Sequence, residues 1–143
     1  YSFILGGGPD SKLFQTVREK NSLCYSINSH VYKTFNLLVI KSGIDKNDYK
    51  KAVSLIKKEV TNMNKNKITD EELEKAKITY INSCKEILDS PNSIIGVYVG
   101  KEYLNTDLLE DRIKNIEKIT KEMIADFSKK IHLDNFLIGR RFV

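Results

Sequence analysis

Three consecutive glycines closed by a proline, Gly6-Gly7-Gly8-Pro9, constrain this chain more than any other stretch. Regular structure does not run through such a block. Glycine loses the most backbone freedom on ordering, and proline lacks a backbone donor. The apolar segment Tyr1 to Leu5 must therefore stop there, and it reads as the tail of a helix whose beginning is missing. Glycine supplies the left-handed conformations that close a helix, and Pro9 pre-sets φ for a new start. A short helix is expected from about Asp10 to Lys20, with Leu13, Phe14 and Val17 as its apolar stripe.

Two strand-like segments follow. From Leu23 to Tyr32 the pattern alternates, which sets Leu23, Tyr25, Ile27 and Val31 on one face and Ser26, Asn28 and His30 on the other. Phe35 to Ile40 is nearly continuous in apolar character, as in a strand covered on both faces. Their closeness in sequence predicts an antiparallel hairpin. Helical periodicity then begins at Asp45, with Tyr49, Ala52, Val53, Ile56, Val60 and Met63 on one side.

After the polar break 62–67, Thr69-Asp70-Glu71-Glu72 is a capping box, and its helix carries Leu73, Ala76, Tyr80, Cys84 and Ile87. Ser90-Pro91 opens another helix, in which Gly96 and Gly100 share a face and permit close helix packing. Thr120 caps a last helix with Ile124 and Phe127, and residues 135–143 read as a final strand. Three strands with helices segregated to one side make an α+β domain, an antiparallel sheet packed against helices. One domain, 1–143, is expected. Neither an initiator Met nor the start of the first helix is present, so the chain reads as a piece of a longer protein.

Composition narrows the class. At 41% hydrophobic and 30% charged residues over 143 positions, the chain is globular, not disordered. Apolar runs fall short of the roughly 20 residues a bilayer span needs, so no membrane is expected. Cys24 and Cys84, far apart and without neighbouring ligands, read as reduced, buried core thiols of a cytoplasmic protein. The net charge of +5 comes mostly from lysines spread over helix faces, without a run of like charges, so no nucleic-acid partner is expected.

Chemistry-bearing motifs are few. His30 and His132 are the only histidines and lie about a hundred residues apart, so no paired-histidine zinc helix is present. Nucleophile-elbow, phosphate-loop and dinucleotide fingerprints are absent. The carboxylates Asp70, Glu71, Glu72 and Glu74 stand in the first turn of a helix, where they complement its dipole. What remains is the joint from Val17-Arg18-Glu19-Lys20 to Leu23-Cys24-Tyr25. An arginine ending a short helix and a tyrosine opening a strand can converge on one cleft. The guanidinium can hold a peptide carbonyl or carboxylate, and the phenol can donate to an oxygen gaining charge in acyl transfer. On the residues alone the structural reading is the favoured one: Arg18 pairs with a local carboxylate, and Tyr25 packs with its hydroxyl at the rim.

Leu5-Gly-Gly-Gly8, Ser11-Lys-Leu-Phe14 and Val17-Arg-Glu-Lys20-x-x-Leu23-x-Tyr25 closely resemble the second, non-zinc domain of pitrilysin/insulinase-type peptidases, which include the mitochondrial processing peptidases and bacterial relatives. Ser42-Gly43-Ile44-Asp45, the run from Ile68 to Lys77 and the run from Ile119 to Ile124 agree in kind, so the resemblance spans the chain. It implies the C-terminal portion of a processing-peptidase-like domain, with a homologous zinc-bearing N-terminal domain or partner chain, within one polypeptide or a dimer. In that family one half carries zinc on an inverted histidine motif. The other supplies an arginine and a tyrosine that help hold peptide substrate, and Arg18 and Tyr25 match those positions. The chain itself carries no zinc motif, so no metal is expected here, no catalytic residue is assigned, and zinc is a matter for the parent protein. The wording from Val17 to Tyr25 also resembles a bacterial branch lacking the zinc motif, whose members act as partners of active relatives. A substrate-binding half of a peptidase and an inactive partner are thus the two functional expectations.

Overall fold

In the computed structural model, which describes residues 1–133, 136, 137 and 139, the chain starts with a short helix α1 (Ser2–Gly6). A π-helical segment, Phe14–Glu19, leads into strand β1 (Cys24–Tyr32). A single 3₁₀ turn, Lys33–Phe35, with Asn36 left-handed at φ 50°, connects β1 to β2 (Leu37–Ile44). Five helices follow: α2 (Tyr49–Asn64), α3 (Asp70–Glu86), α4 (Pro91–Leu104), α5 (Leu109–Glu117) and α6 (Lys121–Ser128). The fold class is the expected α+β, an antiparallel pair packed against helices. The third strand expected at 135–143 lies mostly outside the described residues; the three of its positions that are described, 136, 137 and 139, are not in a strand. α5 is an element the periodicity did not suggest; no side chain caps its start at Leu108, so the usual opening signal is missing.

The core forms where α1, the π segment and β1 meet α2. Leu5, Leu13, Val17, Ala52 and Met63 are fully enclosed, and Ile27, Ile56, Val60, Leu73 and Ile124 surround them. α3 opens with the anticipated capping box: the Glu72 backbone donates to the Thr69 hydroxyl at 3.1 Å, and the Glu72 carboxylate accepts from the Thr69 backbone at 2.9 Å. Its acidic first turn is engaged throughout in ion pairs, Asp70 with Lys121, Glu71 with Lys75 and Glu72 with Lys12. α6 is tied to α2 by the buried Ser128 hydroxyl, which donates to the carbonyls of Ala125 and Met63.

Several local expectations are corrected. Gly7 closes α1 at φ −90°, outside the left-handed region. The glycines serve close approach instead: a Cβ on Gly6 would lie 2.7 Å from the backbone nitrogen of Ser29. α1 thus lies directly on β1, and the Ser29 hydroxyl donates to the Ser2 carbonyl at 2.7 Å. β2 is not covered on both faces. Leu37 is exposed, and Leu38, Val39 and Ile40 are only partly buried, because a two-stranded sheet brings no second layer among the described residues. Gly96 does not pack a helix closely, since a Cβ there would meet nothing. α4 buries only Val97 and exposes Ile95, Tyr98 and Val99. Cys84 is buried as expected, whereas Cys24 is half-buried; both thiols are free. No helix among the described residues is long and apolar enough to cross a membrane.

Candidate functional site

Two backbone irregularities bracket the joint between the π segment and β1. The first is the π segment itself. Its last turn closes with the wider bond of a π-helix, from the Lys20 amide to the Gln15 carbonyl at 3.0 Å. The segment is held at both ends. Gln15 donates through its side chain to the Pro9 carbonyl at 2.8 Å, and Asn21 to the Thr16 carbonyl at 2.8 Å. Thr16 also donates to the Glu59 carboxylate of α2 at 3.1 Å. Glu59 is only 7% exposed, and its other oxygen accepts from Asn62 at 3.2 Å. That second bond meets the requirement that a buried carboxylate be hydrogen-bonded. The chain then reverses at Ser22, which is left-handed at φ 51°. The Ser22 amide donates to the Arg18 carbonyl and the Leu23 amide to the Val17 carbonyl, which fixes the backbone on either side of Arg18.

The second irregularity is a β-bulge. Cys24 pairs with Ile44 and Ile27 with Ser42, so three steps along β1 match two along β2. The extra residue falls at Tyr25–Ser26. A bulge re-aims a side chain that regular alternation would turn inward. Ile27 is buried, whereas Tyr25 is 86% exposed. The expected face shared by Tyr25 and Ile27 is therefore broken, and Val31 is exposed as well.

Together these features bring Arg18 and Tyr25 to one place. Arg18 Cζ lies 5.6 Å from the Tyr25 ring centroid and 4.4 Å from that of Phe14, both within cation–π reach. The Arg18 side chain is 37% exposed, and its ionic contact is Glu19 at 3.7 Å, too long for a hydrogen bond. Among the described residues the guanidinium makes no hydrogen bond, and the loose pair with Glu19 is the local carboxylate pairing that the structural reading expected. Arg112 provides the contrast. It donates to the Asp107 carbonyl at 2.7 Å and the Thr106 hydroxyl at 3.3 Å, so its guanidinium is bound up in holding the start of α5. The shallow cleft beside Arg112 also holds Tyr80, whose phenol is pushed up mainly by burial and then by Cys84.

The other candidates take structural places. His30 sits within β1, its ring edge-on to Tyr32 at 4.8 Å. Among the described residues no group of three or more His, Cys, Asp or Glu is arranged to hold a metal. Sequence reasoning missed the roles of Phe14, read only as core, and of Glu59 and Ser42. Composition marks neither a π-helix nor a bulge, and the run from Leu23 to Ile27 alternates as a regular strand does.

Residues 1–80 match the model of the peptidase M16 inactive domain, over more than half of the chain. The chain belongs to that family. It is 31% identical over 142 residues to a protein of Bacillus subtilis described as a probable inactive metalloprotease, YmfF; the match covers 97% of this chain and 33% of that protein. A second Bacillus subtilis protein, described as the uncharacterized zinc protease YmxG, is 26% identical over 95% of this chain and 34% of its own length. Among solved structures, a peptidase M16 inactive domain from Pseudomonas fluorescens superposes with a TM-score of 0.77 at 26% identity, over 93% of this chain and 32% of that one. The chain thus spans about a third of the length of the relatives it matches. The resemblance read from the glycine block and the Arg18–Tyr25 joint is to this family, whose model is described as an inactive domain of peptidase M16 type.

Proposed function

We propose that this domain is the substrate-holding half of a peptidase-type protein, with Arg18 and Tyr25 gripping the backbone of a peptide. One observation carries the reading. An arginine held only by a loose 3.7 Å ion pair among the described residues stands beside a solvent-exposed tyrosine, and a π-helical segment and a β-bulge aim the two together. Guanidinium supplies a fixed fork to a carbonyl or carboxylate. A phenol 86% exposed is free to donate to the same chain of the substrate. Zinc, if the full-length protein uses it, is held by a homologous domain or partner chain, since the described residues here form no metal-holding group. The free thiols Cys24 and Cys84 support a cytoplasmic setting; neither nucleic acid nor a membrane enters the proposal.

The test is Tyr25→Phe in the full-length protein, assayed for peptide hydrolysis with whatever partner chain it needs. Loss of one donor to a developing oxyanion lowers turnover by about 10²–10³; unchanged hydrolysis would overturn the role. A second reading is favoured by the relative described as a probable inactive metalloprotease. In it the protein keeps the peptide-holding surface and serves as the inactive partner of an active peptidase. Metal analysis separates the two: stoichiometric zinc with self-contained hydrolysis supports the first, and metal-free protein that raises a partner's activity supports the second.

A further inference from the structure

Arg18 is the part of the site with the most freedom to lose. Its ion pair with Glu19 spans 3.7 Å between exposed groups and does not fix a long side chain. The backbone bonds at Arg18 and Val17 set where the side chain starts, not where the guanidinium ends. Tyr25 is itself almost wholly exposed and offers no rigid support. Phe14, four residues earlier on the same segment, differs from both. Its ring is half-buried against the hydrophobic core, and its centroid is 4.4 Å from Arg18 Cζ, the closer of the two aromatic contacts. The segment that presents it is fastened to α2 by the Thr16–Glu59 hydrogen bond.

We infer that Phe14 is a positioning residue for Arg18: its core-anchored ring holds the guanidinium in place, so that the donors meet a peptide oxygen without first being ordered. The inference deepens the peptide-holding reading and rests on it. A ligand then does not have to order the arginine side chain on binding, which is the usual gain from preorganisation. Phe14 touches no substrate; it acts through Arg18.

The experiment uses the full-length protein with Phe14→Leu, which keeps apolar volume and removes the ring, and Phe14→Tyr, which keeps the ring. Phe14→Met serves as a second ring-less variant if Phe14→Leu fails to fold. Two quantities are read: the NMR position of the Arg18 Nε–H, which senses the ring current, and affinity for a fluorescein-labelled ten-residue peptide of mixed sequence. In Phe14→Leu the Arg18 signal moves towards that of a free arginine and peptide affinity falls about two- to five-fold, the worth of an exposed cation–π contact. Phe14→Tyr restores both, and in an Arg18→Ala background Phe14→Leu costs no further affinity. An Arg18 signal unmoved in the ring-less variants, or an equal loss in the Arg18→Ala background, would overturn the inference. If the signal moves as expected but Arg18→Ala binds the peptide as tightly as the wild type, positioning stands and the peptide-holding reading falls instead.

Discussion

The Ser42 hydroxyl of β2 donates to the Ser26 carbonyl of β1 at 3.0 Å, across the bulge that turns Tyr25 outward. A bulge interrupts the ladder, and here a side chain supplies a donor at the point of interruption. Ser42→Ala is expected to cost about 0.5–1 kcal/mol of stability, the net worth of one such bond, read by urea unfolding. It should also loosen the Tyr25 end of β1, seen as faster amide exchange there, and weaken peptide binding. Ser42→Thr keeps a hydroxyl and should behave as wild type. Equal amide exchange in Ser42→Ala and wild type would show that the bulge holds itself.

Arg18→Lys tests whether the site uses a charge or a fork. The ammonium retains the charge but loses the planar donor set and most of the stacking on Phe14. Binding of a peptide should therefore fall nearly as far as in Arg18→Ala, by about tenfold for one charge-assisted bond. Should lysine bind as well as arginine, the site would be reading charge alone, and the contact with Phe14 would have no part in it.

The closeness of Arg18 and Tyr25 was legible in the sequence, and the geometry that produces it was not. Arg18 and Tyr25 stand at the end of one element and the start of the next, so their convergence follows from element order. Their reach depends on two single-residue adjustments, the wider turn through Gln15–Lys20 and the extra residue at Tyr25–Ser26. The first exchanges an i→i−4 bond for an i→i−5 bond and the second interrupts the ladder for one residue, while the sequence around both still alternates as in a regular element, so the pattern carries no trace of either. The capping box at Thr69 was legible because a cap is a local exchange of bonds between residues three apart. The two-sided burial expected of Leu38 to Ile40 failed for the opposite reason: apolar character records that a surface is suited to burial, not what covers it.

Gly6 offers a test of why the glycine block exists. A Cβ at this position would lie 2.7 Å from the Ser29 amide nitrogen and 3.0 Å from its hydroxyl oxygen, and backbone cannot move aside cheaply. Gly6→Ala should destabilise by about 1–3 kcal/mol, the usual cost of overpacking, although alanine is the better helix former. Because α1 presses on β1 within a few residues of the site, peptide binding should weaken with it. Thermal unfolding of Gly6→Ala checks this directly, and a variant as stable as wild type would mean that α1 and β1 separate easily.

α6 is expected to add a small acid-sensitive contribution to stability. Glu122 is held below the ordinary carboxylate range by its own backbone amide and then by the Thr120 hydroxyl, and Asp126 by Lys129, whose ammonium lies 2.7 Å away. A carboxyl lowered in the folded state contributes stability above its unfolded value, and that contribution is lost as pH falls through the folded value. With unfolded carboxyls near pH 4, the loss should run from about pH 5 downwards and be absent at neutral pH and above. The helix that carries both residues buries Ile124, Ala125 and Ser128, so loosening it uncovers the end of α2 at Met63. Both groups are fully exposed, which keeps the effect small and sensitive to salt. The measurement is the unfolding midpoint from pH 7 to pH 2 for wild type and for Glu122→Gln with Asp126→Asn. The double variant should start lower at neutral pH and fall less steeply on acidification. Parallel curves would show that these two carboxylates do not carry the acid sensitivity.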